Sequence, residues 1–247
     1  MRKHSRIFFG LSTACALLLV LSPPAVNAQN DGPAYFRHLV TTVKPDRVAE
    51  FESLLRERAA ALEAGGEQGF RSVWQPVQGP QYTYVIVDPI RSLAVLDEPP
   101  SATPSADWIH RVDAAITEQT SIILRNYPDL SIPGPEGYER DMARLRIRRT
   151  LPAVTNPYYQ WQRDELVAKQ REAGLTSLVT GRAVAGTSVQ TWISLAHIDD
   201  NASQEGNIIA TVMPLQERVQ MFERGSGLLA YSEDWIVRFR PDLGFRN

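Results

Sequence analysis

One short phrase occurs twice in this chain and limits what the chain can fold into. It reads Arg125-Asn126-Tyr127-Pro128-Asp129-Leu130 near the middle and Arg238-Phe239-Arg240-Pro241-Asp242-Leu243 near the last residue. Both copies are Arg-x-x-Pro-Asp-Leu, and each follows an apolar run, Ile122-Ile123-Leu124 in one and Trp235-Ile236-Val237 in the other. They stand 238 − 125 = 113 positions apart, close to half of the 247 residues. An apolar run stopped by Pro-Asp reads as a strand and its exit turn. Two such exits half a chain apart predict one structural unit present twice.

The elements between the copies repeat in the same order. Tyr35 to Val43 is β-branched and aromatic, hence a strand. Pro45 then opens a helix in which Val48, Phe51, Leu54, Leu55 and Leu62 keep helical spacing up to Gly65-Gly66. Arg71 to Pro76 and Gln81 to Val87 read as a hairpin around Val77-Gln78-Gly79-Pro80. Asp97 to Ser105 reads as a loop, Asp107 to Gln119 as a helix and Ser121 to Tyr127 as a strand. In the second half Met142 to Thr150 is a strand, and Asn156-Pro157 starts a helix that stops at Gly174. Leu175 to Thr180 and Ser188 to Leu195 are strands, Pro214 to Arg224 a helix and Asp234 to Arg240 the closing strand. Aligning Pro45 with Pro152 gives an offset of 152 − 45 = 107, and Ile90 with Ile198 gives 108.

Each half is thus predicted as β-α-β-β-α-β, a ferredoxin-like unit whose antiparallel sheet carries both helices on one face. The other face needs a cover, which the second unit supplies. The predicted fold class is α+β: two tandem ferredoxin-like modules, residues 29–133 and 140–247, joined by a Pro/Gly-rich linker over 134–139. Their sheets are predicted to pack face to face as a pseudo-dimeric barrel. Tyr35–Val43, Pro45–Gly66, Gln81–Val87, their second-half counterparts and the two Pro-Asp-Leu exits resemble the dimeric α/β-barrel superfamily. That superfamily includes antibiotic-biosynthesis-monooxygenase-like, stress-responsive and NIPSNAP-like proteins and haem enzymes such as chlorite dismutase. The resemblance implies the barrel and does not select an activity. The haem branch implies a helix-borne axial histidine in the second half. Here that half contains only His197, at a strand end.

Residues 1–28 read as a signal peptide. Arg2, Lys3 and Arg6 precede a largely apolar Ile7 to Leu21, and Val26-Asn27-Ala28 sets cleavage after Ala28. A periplasmic or secreted location is expected. Cys15 falls inside the apolar run, so the mature chain has no cysteine and relies on its core rather than on disulfides. Three basic residues leave with the signal, so 23 basic face 28 acidic residues. That balance argues against nucleic acid or, after cleavage, a membrane as partner. A small molecule is the expected partner, and the oligomeric state stays open.

Strand alternation supplies the candidate residues. Ile122 and Leu124, like Trp235, Val237 and Phe239, share one face, with Arg125, Tyr127, Arg238 and Arg240 on the other. Arg144, Arg146 and Arg148 alternate with Leu145 and Ile147, and Arg37 matches Arg144 at offset 107. If the apolar face packs on the helices, the arginines look into the barrel. Arg37, Arg125, Arg146 and Arg238 are therefore candidate oxyanion ligands, with strand ends in water as the alternative. Tyr84 and Trp192 match at offset 108 and are candidates for an aromatic wall opposite them, with core packing as the alternative. Trp74 lies on the second strand. His38 alternates with Val40 and is expected against the helices, while His110 is expected on a surface helix. His197 with Asp199 is a candidate proton-transfer pair at a strand end, so His38 and His197 are the two catalytic candidates. No metal-ligand spacing, phosphate loop, Gly-x-Ser-x-Gly or mature thiol is present, and no cofactor is expected.

The leading expectation is an exported barrel that holds an amphipathic anion between its sheets. A cofactor-free monooxygenase or isomerase of the dimeric α/β-barrel type is the first alternative, because a substrate that supplies its own reactivity asks for few side chains. A structural or interaction protein with a filled barrel is the second.

Overall fold

The computed structural model describes residues 33–67, 69–97, 103–134, 141–198 and 208–246. The signal segment and nearly all of the linker lie outside these residues. The first half runs β1 (Tyr35–Val43), α1 (Val48–Ala64), β2 (Phe70–Gln78), β3 (Thr83–Ile90), α2 (Ala106–Ala115) and β4 (Ile116–Asn126). The second half runs β5 (Met142–Thr150), α3 (Thr155–Trp161), a π-helical turn (Gln162–Val167) and α4 (Ala168–Glu172). Then follow β6 (Leu178–Ala185), β7 (Thr191–Ile198), α5 (Leu215–Ser226), β8 (Leu229–Phe239) and the short β9 (Phe245–Arg246).

The strands hydrogen bond in the order β3-β1-β4-β6-β7-β5-β8-β2, and β2 returns to β3, so eight antiparallel strands close into a barrel. The two four-strand groups do more than lie face to face. They are joined along both edges, β4 to β6 and β2 to β8. Closure removes the free edges that a four-stranded sheet would expose. Among the described residues no helix is long and apolar enough to cross a membrane.

Closure also decides what each side chain faces. Phe36, Trp74, Val85, Leu124, Leu145, Ile193, Trp235 and Val237 form one cluster, drawn from strands all around the barrel, on its inner face. Their strand neighbours point outward. Val43, Val73, Tyr84 and Ile86 meet Phe51 and Leu55 of α1. Helix α1 exists because its buried residues recur at 51, 54, 55, 59 and 62, one face of a helix. Gly66 at φ 72° ends it in a conformation that glycine adopts without strain. Burying each of these large side chains stabilises the fold by about 1.5–3 kcal/mol.

Several element ends differ from the sequence reading, for tertiary reasons. Helix α2 stops at Ala115 rather than Gln119, because residues 116–119 already pair with β1. Strands β4 and β8 are consequently longer than predicted, eleven residues each, and share one order of buried and exposed positions. Strand β6 starts at Leu178 rather than Leu175, because Leu175 N–H still closes the helix end on the Gln170 carbonyl. Both Pro-Asp-Leu exits are 3-10 turns whose leucines, Leu130 and Leu243, are fully buried.

Candidate functional site: the barrel lumen

A cavity of about 450 Å³ lies in the barrel. Its wall is largely apolar, with Phe36, Val85, Val87, Leu124, Leu145, Val179, Ile193, Leu195, Val237 and Phe239 contributing. Polar atoms enter it from His38 on β1, Ser72 and Trp74 on β2 and His197 on β7. Glu63, Arg71, Pro241, Gly244, Phe245 and Arg246 line it as well, so α1 and the β2–β9 pair contribute to its wall.

This inverts the predicted faces. Alternation separates two faces without saying which is inside, and here the outer face is covered by the helices over only part of its length. The lumen takes the apolar set, because a guanidinium there would lose its water, and Arg71 in the wall is answered by Asp88. Arg125 and Arg238 stand exposed on the outer face. Arg37 is outside too, bonded through Nε at 3.2 Å and Nη2 at 2.7 Å to Asp88. Arg146 lies on the outer face of β5, its Nε 3.8 Å from Asp234. Tyr84 packs under α1 and donates to Glu52 Oε1 at 2.8 Å. Trp192 packs with Leu130 and Tyr158 under α3. None of these six lines the lumen.

The two histidines do. His38, expected against the helices, points inward on the same side as Phe36. Burial pushes its pKa down to about 4, against an opposing pull from Asp88, so its imidazole is neutral at pH 7. Its Nδ1 is buried without a hydrogen-bond partner. His197 Nδ1 shares a 2.9 Å hydrogen bond with Ser177 Oγ, which fixes the ring. Its ring lies 5.6 Å from that of Trp74, which in turn lies 5.0 Å from Phe239. Trp74 Nε1 donates to Ser72 Oγ at 3.2 Å. Asp199, the predicted partner of His197, lies outside the described residues.

Behind the wall, Asp88 accepts from Arg37 and from Arg71, the latter at 2.7 and 3.0 Å. Burial raises its pKa, but the two guanidiniums outweigh burial and hold it below the usual carboxylate range. The sequence reading passed over Asp88, although a lone acid inside the apolar run Thr83–Ile90 was a signal that it needed cations. Ser177 carried no such signal, because the turn before β6 is set by the helix end.

No protein-family model matches the sequence, and a search of curated proteins finds no match. Solved structures do match. A proposed monooxygenase from Lactobacillus acidophilus superposes with a TM-score of 0.60 at 11% identity, covering 87% of this chain and 97% of that one. A proposed monooxygenase from Fusobacterium nucleatum gives 0.59 at 10% identity, covering 85% and 93%. An anthrone oxidase-like protein gives 0.59 at 13%, covering 88% and 94%. The fold is that of the dimeric α/β-barrel proteins. A chlorite dismutase from Candidatus Nitrospira defluvii shares it at a TM-score of 0.50 and 8% identity. Helices α3, α4 and α5 and the π turn carry no histidine, so the helix-borne axial ligand of the haem branch has no counterpart on them.

Proposed function

We propose that the protein is a monooxygenase-type enzyme that oxidises a small, mostly apolar carbon acid inside the barrel. The observation that carries this reading is the pair of imidazoles, His38 and His197, in a largely apolar lumen. An apolar cavity excludes water and strengthens every polar contact made inside it. His197, oriented by Ser177, is the candidate base for a carbon-bound proton. His38 is neutral, so it offers one N–H and one lone pair to a ring hydroxyl or carbonyl without bringing charge into the lumen. A deprotonated carbon acid can reduce O2 itself. A ring methylene plus O2 gives a ring carbonyl plus water, and the four electrons lost by carbon are the four that O2 gains. The assigned names of the structural neighbours, monooxygenase and anthrone oxidase-like, support this over simple binding.

The test is oxygen uptake with anthrone and related phenolic carbon acids, read beside product absorbance. Turnover that falls at least tenfold in His197→Ala supports the assignment. No uptake above the buffer blank across the panel, or unchanged turnover in His197→Ala, overturns it. The second reading is an amphipathic anion held without turnover. Arg71 and Arg246 in the cavity wall favour it, and it predicts saturable binding of aromatic acids with no oxygen uptake.

We further infer that the two halves are tandem ferredoxin-like modules that form the barrel as a pseudo-dimer. Starts of β1 and β5 107 residues apart, starts of β3 and β7 108 apart, and the shared burial order of β4 and β8 support it. Export with cleavage after Ala28 is likewise proposed, on Arg2, Lys3, Arg6 and the apolar Ile7 to Leu21. N-terminal sequencing of the protein from its native cells tests it, and a chain beginning before Gln29 speaks against cleavage there.

A further inference from the structure

The two halves use matching positions differently. At the offset of 107, Leu39 corresponds to Arg146, Phe51 to Tyr158 and Leu55 to Gln162; at 108, Tyr84 corresponds to Trp192. In the first half these four residues belong to one apolar cluster between α1 and the sheet. In the second half the same layer carries a guanidinium, a phenol, an amide and an indole.

Those groups are neighbours in that layer. Tyr158 and Trp192 meet edge to face, 5.9 Å between ring centroids. Gln162 N–H bonds to the Tyr158 carbonyl, which sets Gln162 one turn further along the same helix face. Trp192 pairs with Arg148 in the β5–β7 register, and Arg146 is the next residue on that face of β5. Gln162 Nε2 and Trp192 Nε1 are buried donors without a hydrogen-bond partner. Among the described residues, Arg146 meets only Asp234, at 3.8 Å. That carboxylate is engaged more closely by Arg148, at 2.6 Å. Burial pushes the pKa of Arg146 down to about 10 against the pull of Asp234, with Arg144 and Arg148 adding to the lowering. Even so, a fifth of its side chain remains open to solvent.

Local backbone also departs here. The helical stretch from Thr155 to Glu172 is offset from α1 by 107 at its start and 108 at its end, so it holds one extra residue. The π turn beginning at Gln162 absorbs that residue. Such turns re-aim side chains and recur at functional sites.

Buried donors without acceptors cost free energy that a packed apolar layer, as in the first half, does not. Unpartnered donors within one helix–sheet layer fit an acceptor, and a guanidinium in the same layer fits a charged one. We propose that the helix–sheet layer of the second half is an oxyanion site, in which Arg146, Gln162 Nε2 and Trp192 Nε1 donate to one carboxylate or phosphate group. The site lies on the outer face of the sheet and is independent of the lumen.

The test uses the full chain at constant ionic strength, titrated calorimetrically and by thermal shift with inorganic phosphate, sulfate, acetate and benzoate. The expected result is saturable binding of at least one anion, weakened at least tenfold in the double variant Arg146→Leu/Gln162→Leu, which installs the first half's residues. Phosphate binding without benzoate binding identifies a free inorganic anion as the ligand. The reverse identifies an organic acid, and either supports the site. Gln162→Leu alone is the second variant and is expected to weaken binding several-fold. No saturable response to any of the four anions overturns the proposal, as does unchanged affinity in the double variant or, if that variant fails to fold, in Gln162→Leu.

Discussion

Arg240 and Glu52 form a two-point ion pair across 188 residues of sequence, Nη1 to Oε1 at 2.6 Å and Nη2 to Oε2 at 3.0 Å. The pair ties α1 to the exit of β8. Tyr84 donates to the same carboxylate, and Arg240 also holds Asp242 and Gln75. The Arg240 hydrogen bonds are the largest cause that keeps Glu52 below its ordinary pKa and sets Asp242 at about 2. Both pKa values are depressed, so the stability they contribute is present above the unfolded values and lost as pH falls through the folded ones. Arg240→Ala is expected to cost about 2 kcal/mol at pH 7, because it removes the two-point pair from half-buried Glu52, which keeps Tyr84 and Arg56 as partners. Arg238→Ala, two residues away and exposed, is expected to stay within about 0.5 kcal/mol. Urea unfolding of the two variants checks the contrast, and equal losses would contradict it.

His38 gives a second pH signature of opposite chemistry. Its folded pKa of about 4 lies below its ordinary value of 6.5, so between those values the unfolded chain binds more protons. Stability therefore falls as pH drops from about 6.5 to 4, by at most roughly 3 kcal/mol. Asp88 with its two arginines lies nearest behind it and His197 shares the lumen. The slope is read as the difference between wild type and His38→Leu, which installs the residue found at the matching position, Leu145. Denaturant titrations at pH 7.5, 5.5 and 4.5 should show the variant losing less. Parallel slopes would mean that His38 is hydrated in solution.

Two glycines separate conformational strain from crowding. Gly174 and Gly186 both sit at φ 83°. A Cβ at Gly174 meets nothing within 4 Å, while one at Gly186 lies 1.8 Å from the Ser121 carbonyl oxygen on β4. Gly174→Ala is expected to cost about 1 kcal/mol from backbone strain alone. Gly186→Ala must also push the β6–β7 turn off β4, one of the two seams that close the barrel, and should cost at least twice as much. Thermal melts of both variants decide it; similar losses would mean that the seam yields easily.

The fold was legible because it is written in local signals that agree with one another. Tyr35 to Val43, the 51-54-55-62 spacing of α1 and the two Pro-Asp-Leu exits each imply their element without help from the rest of the chain. The site was less legible for a definite reason. Ile122 and Leu124 against Arg125 state that a strand has two faces, but only closure decides that the apolar one is inside. Once that parity is set, Arg37, Arg125, Arg146 and Arg238 move outward and His38 moves inward together. The lone Asp88 and the extra residue in the second long helix could have been noticed. The edge pairings β4–β6 and β2–β8 could not, because they depend on contacts between residues far apart in sequence.

Ser177 offers the sharpest test of the lumen chemistry. Its Oγ fixes His197 at Nδ1, and it is buried, so Ser177→Ala leaves that nitrogen without its partner. If His197 is the base, the loss falls on the chemical step. One hydrogen bond of about 1.4 kcal/mol corresponds to a roughly tenfold fall in kcat, with KM little changed. A shifted pH–rate profile is expected too, because the ring's basicity and orientation change with its partner. Ser177→Thr keeps the hydroxyl and should restore much of the rate. A merely structural serine would lower stability while leaving the pH profile where it was, and that result would remove His197 from the role assigned to it.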